Sequence, residues 1–264
     1  MKNLKNLLTK NKMKIYNNPE LFNLWRESHE KKANEEVQFL KSILEKEIKS
    51  LLDIGGADGV HTIPLSRKMK NVKFTIYDGS ANLLDNANKK ISEQNIKNVK
   101  TQVGYFENIP QVLADQSFDA AISMWTTITY VNDLEKRKEL YKWLSENIEK
   151  TIIIDQSNFY NYPKSDLSKS VEIFKNYEIT TTRKYTINEN YLRTGSYTFN
   201  FKNLNTNEED EIYDPETVQF IEPEEIDKLL GTKWERTNTF GSYNQKHKFD
   251  KKNSKRLITI HEQK

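Results

Sequence analysis

The sequence contains no cysteine. Disulfides, thiolate metal sites and a cysteine nucleophile are therefore excluded. Its histidines (His29, His61, His247 and His261) are too scattered to suggest a metal site. No apolar run reaches the roughly 18 residues of a membrane span. Met1 to Lys12 is basic but lacks the continuous apolar core of a signal peptide. No membrane partner is expected, and the cytoplasm is the expected location. Hydrophobic residues make up only 36% and mean hydropathy is −0.84, so the surface is very polar. Neither sign of charge dominates. Basic residues number 41 and acidic ones 38, a net +3, which is too balanced for a nucleic-acid platform. The 264 residues suffice for one large domain, or a domain plus a subdomain, with a real core.

What the chain does have is Leu51-Leu52-Asp53-Ile54-Gly55-Gly56-Ala57-Asp58-Gly59. An apolar run ends in a carboxylate, a glycine-rich loop follows, and a helix opens at about Val60 with Pro64 near its first turn. Gly55, Gly56 and Gly59 let the backbone take positive φ and approach a ligand closely. Asp53 can either meet a ligand's ammonium or order the loop. The spacing G-G-A-D-G does not fit the dinucleotide fingerprint G-x-G-x-x-G, and no lysine follows at P-loop spacing. A loop of this shape suits a cofactor without phosphates.

The surrounding pattern is periodic. Pro19 opens a helix with Leu21, Leu24 and Trp25 on one face, and a second helix is expected from about Ala33 to Lys49. Strands are expected at 51–54, 72–77, 100–103, 118–124 and 151–154, alternating with helices, which predicts a parallel sheet covered on both faces. Residues 178–187, 191–202 and 211–220 read as an antiparallel insert of about three strands. Pro223 opens a short helix, and two last strands follow at 233–240 and 256–262. The expected organisation is an N-terminal helical segment or lid (1–49), a core (50–177), a β insert over the acceptor site (178–221), and a C-terminal helix with the last two core strands (222–264).

In an open parallel sheet, ligands bind beyond the carboxyl ends of the strands. Those ends carry Asp53 to Gly59, Asp78-Gly79, Tyr105-Phe106-Glu107, Met124 to Tyr130 and Asp155 to Asn158. Asp78, about 20 residues past the glycine loop, suits a bidentate contact to two ribose hydroxyls. The faces of Tyr105, Phe106 and Trp125 suit packing on an adenine or a cationic sulfonium.

At Asp53 to Gly59, at Asp78-Gly79-Ser80 and at Phe118 to Thr127, the chain resembles class I S-adenosylmethionine (SAM) methyltransferases. The resemblance covers residues 14–264. It is closest to small-molecule enzymes of the glycine N-methyltransferase and amino-sugar N-methyltransferase kind, through Phe22-Asn23-Leu24-Trp25, Thr126 to Tyr130, Ile153 to Phe159, and the ending Phe240 to Tyr243 with Arg256 to Ile260. Ala57 stands where the family has its middle glycine. Tyr105 stands where it often has an aspartate, so backbone carbonyls or Glu107 are the expected substitutes for that contact. The resemblance implies a Rossmann-like, seven-stranded, mostly parallel sheet with the β insert after strand five. It implies SAM as cofactor, S-adenosylhomocysteine as product and a small-molecule acceptor, with a second copy of the chain an open possibility.

Cofactor contacts are then expected from Lys32 (Arg26 being the alternative), Asp53, Gly55, Gly56, Ala57, Gly59, Asp78, Gly79, Tyr105, Phe106, Glu107, Met124 and Trp125. Acceptor contacts are expected from Trp125, Thr126, Tyr130, Gln156, Asn158, Tyr243 and, for an anionic acceptor, Arg183 or Arg193. Tyr16, Thr126 and Asn158 are the catalytic candidates. Ser157 replaces the arginine that grips the acceptor carboxylate in the glycine enzymes, so glycine is expected to be a poor acceptor. Transfer to nitrogen is favoured over oxygen. The alternatives are O-methylation, a tRNA or protein methyltransferase, and a SAM-binding regulatory protein without turnover.

Overall fold

The computed structural model describes residue 15 and residues 18–27, 30–44 and 48–264. Among these, no helix is long and apolar enough to cross a membrane. The chain divides into two compact units, one of residues 1–30 with 162–219, the other of residues 31–161 with 220–264.

The larger unit is built on a seven-stranded sheet. Its parallel strands are β1 (Ser50–Ile54), β2 (Lys73–Asp78), β3 (Val99–Val103), β4 (Phe118–Ser123) and β5 (Ile148–Ser157). The antiparallel strands β10 (Trp234–Phe240) and β11 (Arg256–Gln263) complete it, in the order β10-β11-β5-β4-β1-β2-β3. Strand order reverses between β1 and β4, which pair directly. Successive strand side chains point to opposite faces, so each apolar run feeds two cores. Leu51, Ile122, Ile153 and Ile258 pack with Val37, Leu40 and Leu44 of helix α2 (Glu30–Leu44). Leu52, Ile54, Ala121 and Ile152 pack instead with Leu140, Tyr141 and Leu144 of α6 (Leu134–Asn147) and with Ile226 and Leu230 of α7 (Pro223–Leu230). Helices α3 (Thr62–Lys68), α4 (Ala81–Glu93) and α5 (Ile109–Val112) make the remaining connections. Asp133 caps α6 by accepting from Lys136 N, and Pro223 starts α7 in the first turn, where its missing N–H costs nothing.

The second helix starts at Glu30, before the expected Ala33, and its expected end at Lys49 falls beyond Leu44 where residues 45–47 are outside the described part. The terminal strands lie within a residue of the expected positions.

The smaller unit contains helix α1 (Pro19–Glu27) and a four-stranded antiparallel sheet in the order β6 (Ser165–Phe174), β7 (Tyr177–Ile187), β8 (Leu192–Asn203), β9 (Glu209–Gln219). The sheet therefore begins at residue 165, upstream of the 178 expected, and has four strands rather than three. The extra strand escaped notice because Ser, Asp, Lys and Glu interrupt its apolar residues. Ile179, Phe199 and Phe201 form its buried apolar end, with Trp25 edge-on to Phe199 at 6.2 Å. Gly195 sits opposite Tyr185 across the β7–β8 ladder, and the tyrosine fills the space a side chain would take.

A Cβ at position 195 would lie 2.2 Å from the Lys184 carbonyl oxygen and 2.6 Å from Tyr185 Cβ. Gly195→Ala should therefore lower stability by about 1–3 kcal/mol through overpacking. Urea denaturation with an unchanged midpoint would contradict this packing.

Candidate active site

The glycine loop runs on from β1 with Gly55 at φ 77°, Ala57 at φ 47° and Gly59 at φ 80°. Gly55 lies against the turn after β4, since a Cβ there would be 2.0 Å from Thr127 Cγ2. At Gly56 a Cβ would be 2.5 Å from Asp53 Oδ2, so the loop folds closely over the Asp53 carboxylate. That carboxylate accepts a 2.6 Å hydrogen bond from Thr62 Oγ1 at the start of α3. Burial pushes the Asp53 pKa up, against the opposing pull of His61 and Thr62. Of the two roles open to Asp53, loop ordering is the one the geometry displays.

Asp78 closes β2 and reaches across to the neighbouring loop. Its Oδ2 accepts from Ala57 N at 3.0 Å and its Oδ1 from Ser80 N at 2.8 Å. Burial raises its pKa to about 6, with the Ser80 and Ala57 amides opposing and the Asp53 and Asp58 charges adding to the rise. One amide donor per oxygen leaves acceptor capacity on both oxygens, which fits a pair of vicinal hydroxyls. Beside it, Tyr105 is 59% exposed, and its ring lies by Gly79, where a Cβ would sit 3.1 Å from Tyr105 Cδ1. Phe106 is buried and Glu107 is exposed. Lys90 is engaged by the buried Asp58 carboxylate. The residues present thus fit a nucleoside with a free diol: an acceptor pair for the hydroxyls and an open aromatic face.

The turn after β4 is held in an unfavourable backbone shape. Met124 is buried, and Trp125 and Thr126 follow with φ 54° and 71°. Two successive left-handed residues that are not glycine cost of order 1–3 kcal/mol each and persist only when the surroundings hold them. Here Asp155 does so. Its Oδ2 accepts from Trp125 N at 2.8 Å and its carbonyl accepts from Thr126 N at 2.9 Å. The carboxylate also accepts from Tyr243 Oη at 2.8 Å and from Arg256 Nε and Nη2 at 2.8 and 2.7 Å. Thr126 Oγ1 in turn accepts from Ser157 N at 3.0 Å.

Arg256 lies opposite Ser157 in the β5–β11 ladder and donates to Ser157 Oγ at 3.2 Å. A guanidinium is therefore present at this strand end after all, supplied by the neighbouring strand and neutralised by Asp155. Sequence reasoning missed it. No local signal identifies it, since Asp53 and Asp78 also end apolar strands and are satisfied by amide and hydroxyl donors alone.

Glu36 was missed as well. This buried residue of α2 accepts from His61 Nε2 at 2.6 Å and from Trp125 Nε1 at 2.8 Å. Burial acts to raise its pKa, but the His61 and Trp125 hydrogen bonds prevail and the carboxyl lies below the ordinary range. The His61 ring meets the Trp125 ring edge-on at 5.0 Å. Glu36 so joins the segment after the glycine loop to the turn after β4.

Other expected residues have different occupations. Gln156 is fully buried, with its amide exchanging hydrogen bonds with Ile221 N and O at 3.0 and 2.9 Å. Asn158 donates to the Lys251 and Ser254 carbonyls and accepts from Tyr160 N. These amides fasten loops. Tyr130 is half-buried against the α6 side of the core. Arg183 belongs to the smaller unit, where it donates to Asp166 at 2.7 Å, and Arg193 pairs there with Glu216 at 2.6 Å. Tyr16 lies outside the described residues, as do the side chains of Lys32 and Arg26.

Residues 51–147 match the model of a family described as a methyltransferase domain. A curated relative, norreticuline-7-O-methyltransferase of Papaver somniferum, is 24% identical over 144 residues, 53% of this chain. The match spans only 37% of that relative's length. A SAM-dependent methyltransferase from Clostridium acetobutylicum superposes with TM-score 0.73 at 15% identity, covering 87% of this chain and 91% of its own. A SAM-bound amino pentose methyltransferase from Micromonospora echinaspora superposes with TM-score 0.63 at 10% identity, covering 88% and 90%. At these identities the shared property is the fold.

Burial raises the Asp78 pKa to about 6 and only its ionised form accepts on both oxygens, so a ligand held there by a diol, with SAM as the probe, should bind with loss of that proton. Below pH 6 the dissociation constant should rise toward tenfold per pH unit, and level off above it. Asp78→Asn should flatten that dependence. Calorimetry showing constant affinity of the unmodified protein between pH 5 and 7 would contradict the assignment.

Proposed function

We propose, from the match of residues 51–147 to a family described as a methyltransferase domain, that the chain is a SAM-dependent enzyme transferring a methyl group to a nitrogen of a small polar metabolite. The observation that carries the cofactor reading is Asp78, with one amide on each carboxylate oxygen and the left-handed glycine loop alongside. When bound, SAM supplies an already activated sulfonium methyl, so the protein's task is mainly in-line positioning. Gly55 and Gly59 bring backbone close to the ligand, Asp78 takes the ribose, and Tyr105 offers a stacking face. Trp125 and Thr126, held by Asp155, present their turn where strand order reverses.

The preference for nitrogen rests on Asp155. This carboxylate accepts from Trp125 N, Tyr243 Oη and two nitrogens of Arg256, so it is no free base. A neutral amine attacks without losing a proton first, whereas a hydroxyl benefits from a base in the transition state. The fold neighbours that support this reading include the amino pentose enzyme and a sugar N-methyltransferase from Streptoalloteichus, TM-score 0.62. Within the acceptor site, Trp125, Thr126 and Tyr243 remain the proposed contacts and Thr126 the proposed catalytic positioner. Gln156 and Asn158 are left to their backbone partners.

Incubation with SAM and a panel of amines, amino sugars and modified amino acids, read by methyl incorporation, tests the proposal. Methylated product is expected with a compact polar amine and little with glycine. Asp78→Ala removes two charge-assisted hydrogen bonds, each worth roughly 1.5–3 kcal/mol, so SAM affinity should fall at least about tenfold. Efficient glycine turnover, product only from hydroxyl acceptors, or unchanged SAM affinity in the variant would each overturn the corresponding part.

A further inference from the structure

The loop between β10 and β11, residues 241–255, holds five lysines against one aspartate. That is a net +4 in a chain whose total is +3, so the rest of the chain carries −1. Like charges crowded together repel, yet this loop is tied down. Asp250, its only acid, spends its carboxylate on the loop's own amides, accepting from Lys252 N at 3.0 Å and Asn253 N at 2.7 Å. The buried Asn158 amide holds the Lys251 and Ser254 carbonyls, and Asn161 donates to the Lys252 carbonyl at 2.6 Å. Among the described residues, none of the five lysines has a carboxylate within ion-pair distance. Two of them line a cavity of about 330 Å³ off the β10 edge, together with Tyr160, Arg236, Asn238 and Glu224. Lys251 Nζ rests 4.2 Å from the centre of the Tyr160 ring. Lys248 Nζ lies 4.7 Å from that of Phe240 and donates to Asn238 Oδ1 at 2.6 Å. Glu224, the one acid of the lining, accepts from Arg236 Nη2 at 3.0 Å, and Arg236 also pairs with Asp227 at 3.1 Å. The excess positive charge of the cavity is therefore that of the two lysines.

We propose that this cavity binds a compact polyanion, a diphosphate group, at a site separate from the candidate active site. Three strands, β11, β5 and β4, stand between β10 and the strand that leads into the glycine loop, so the site stands independently of the methyl-transfer reading. The cations present select the ligand. A carboxylate is best matched by the planar fork of an arginine, and the cavity's one arginine already serves two carboxylates. What remains is a pair of ammoniums, which act as point charges and suit the spread charge of phosphate oxygens. Asn238 adds its Nδ2 donor, because its Oδ1 is the atom that Lys248 occupies. Resting against aromatic faces, the ammoniums have less freedom left to lose on binding, which lowers the cost of ordering them. The volume lies at the lower end of the roughly 300–1,000 Å³ of small-ligand cavities, and so takes a compact group rather than a length of polymer. The buried Asn158 amide then has a purpose, since it fixes the backbone from which Lys251 projects.

Calorimetry of the full chain with sodium pyrophosphate, in a buffer free of other phosphate, is the test. Saturable binding of one pyrophosphate per chain is expected. The double variant Lys248→Gln, Lys251→Gln should weaken it at least about tenfold, because it removes two charge-assisted contacts. Lys252→Gln takes the same charge from the same loop but not from the cavity, and should change the affinity less than about twofold, solvent and salt screening a charge at that remove. Glu224→Gln removes the cavity's own carboxylate and should tighten binding severalfold, a gain that a damaged fold does not produce. No binding of pyrophosphate to the unmodified chain at millimolar concentration would overturn the proposal. Equal losses from Lys252→Gln and from the cavity pair would also overturn it, by showing diffuse attraction to the loop. Unchanged or weaker binding in Glu224→Gln would place the anion outside the cavity. A single-stranded RNA that binds more tightly than pyrophosphate, whichever lysine is changed, would assign the loop to a polymer and refute the compact ligand.

Discussion

The Asp155 carboxylate is the constraint on which the candidate site depends. It lies fully buried near the end of β5, and it is the point where three segments distant in sequence meet: the turn after β4, Tyr243 and Arg256. A buried ion pair contributes little net stability, because desolvating both charges offsets their attraction. What it does supply is geometry. The left-handed conformations of Trp125 and Thr126 are unfavourable in isolation, and the hydrogen bonds to Asp155 are what compensate for them. Stability is given up locally in return for a turn of defined shape at the reversal of strand order.

The same device recurs along the carboxyl edge of the sheet. Asp78 on β2 holds the loop that follows β1, through Ala57 N, just as Asp155 on β5 holds the turn that follows β4. Asp53 lies under its own loop and ties it to α3 through Thr62. In each case a strand aspartate is buried by the loop it orders. Burial makes ionisation costly, and the cost shows most clearly at Asp78, whose pKa rises to about 6. Asp155 differs in having a cation of its own. That difference separates a carboxylate with spare acceptor capacity and no cation from one neutralised by a guanidinium and sealed from solvent, and so separates the proposed ribose contact from a scaffold.

Much of this was legible in the sequence where the signal is local. The apolar runs, the glycine loop and the strand-ending Asp78 are contiguous patterns, and they are enough to anticipate the parallel sheet. What escaped was pairing across the chain. Glu36 meets Trp125 from 89 residues away and Arg256 meets Asp155 from 101, and no periodicity reports such a contact. Gln156 is expected at the acceptor, but its neighbours Asp155 and Ser157 face the Arg256 side. Strand alternation turns Gln156 to the other face, where it meets Ile221. Strand β6 escaped for a related reason: its apolar residues face solvent, so it lacks the clean core-facing pattern of its neighbours.

The central claim is that Asp155 holds the Trp125-Thr126 turn in its strained shape. Amide hydrogen exchange, compared between the unmodified protein and Asp155→Asn, tests it most directly, because exchange reports local opening separately from global unfolding. The account predicts that the Trp125 amide, whose acceptor is the carboxylate, loses protection in the variant while those of β1 and β4 keep theirs. Unchanged protection of the Trp125 amide in a folded Asp155→Asn protein would contradict it.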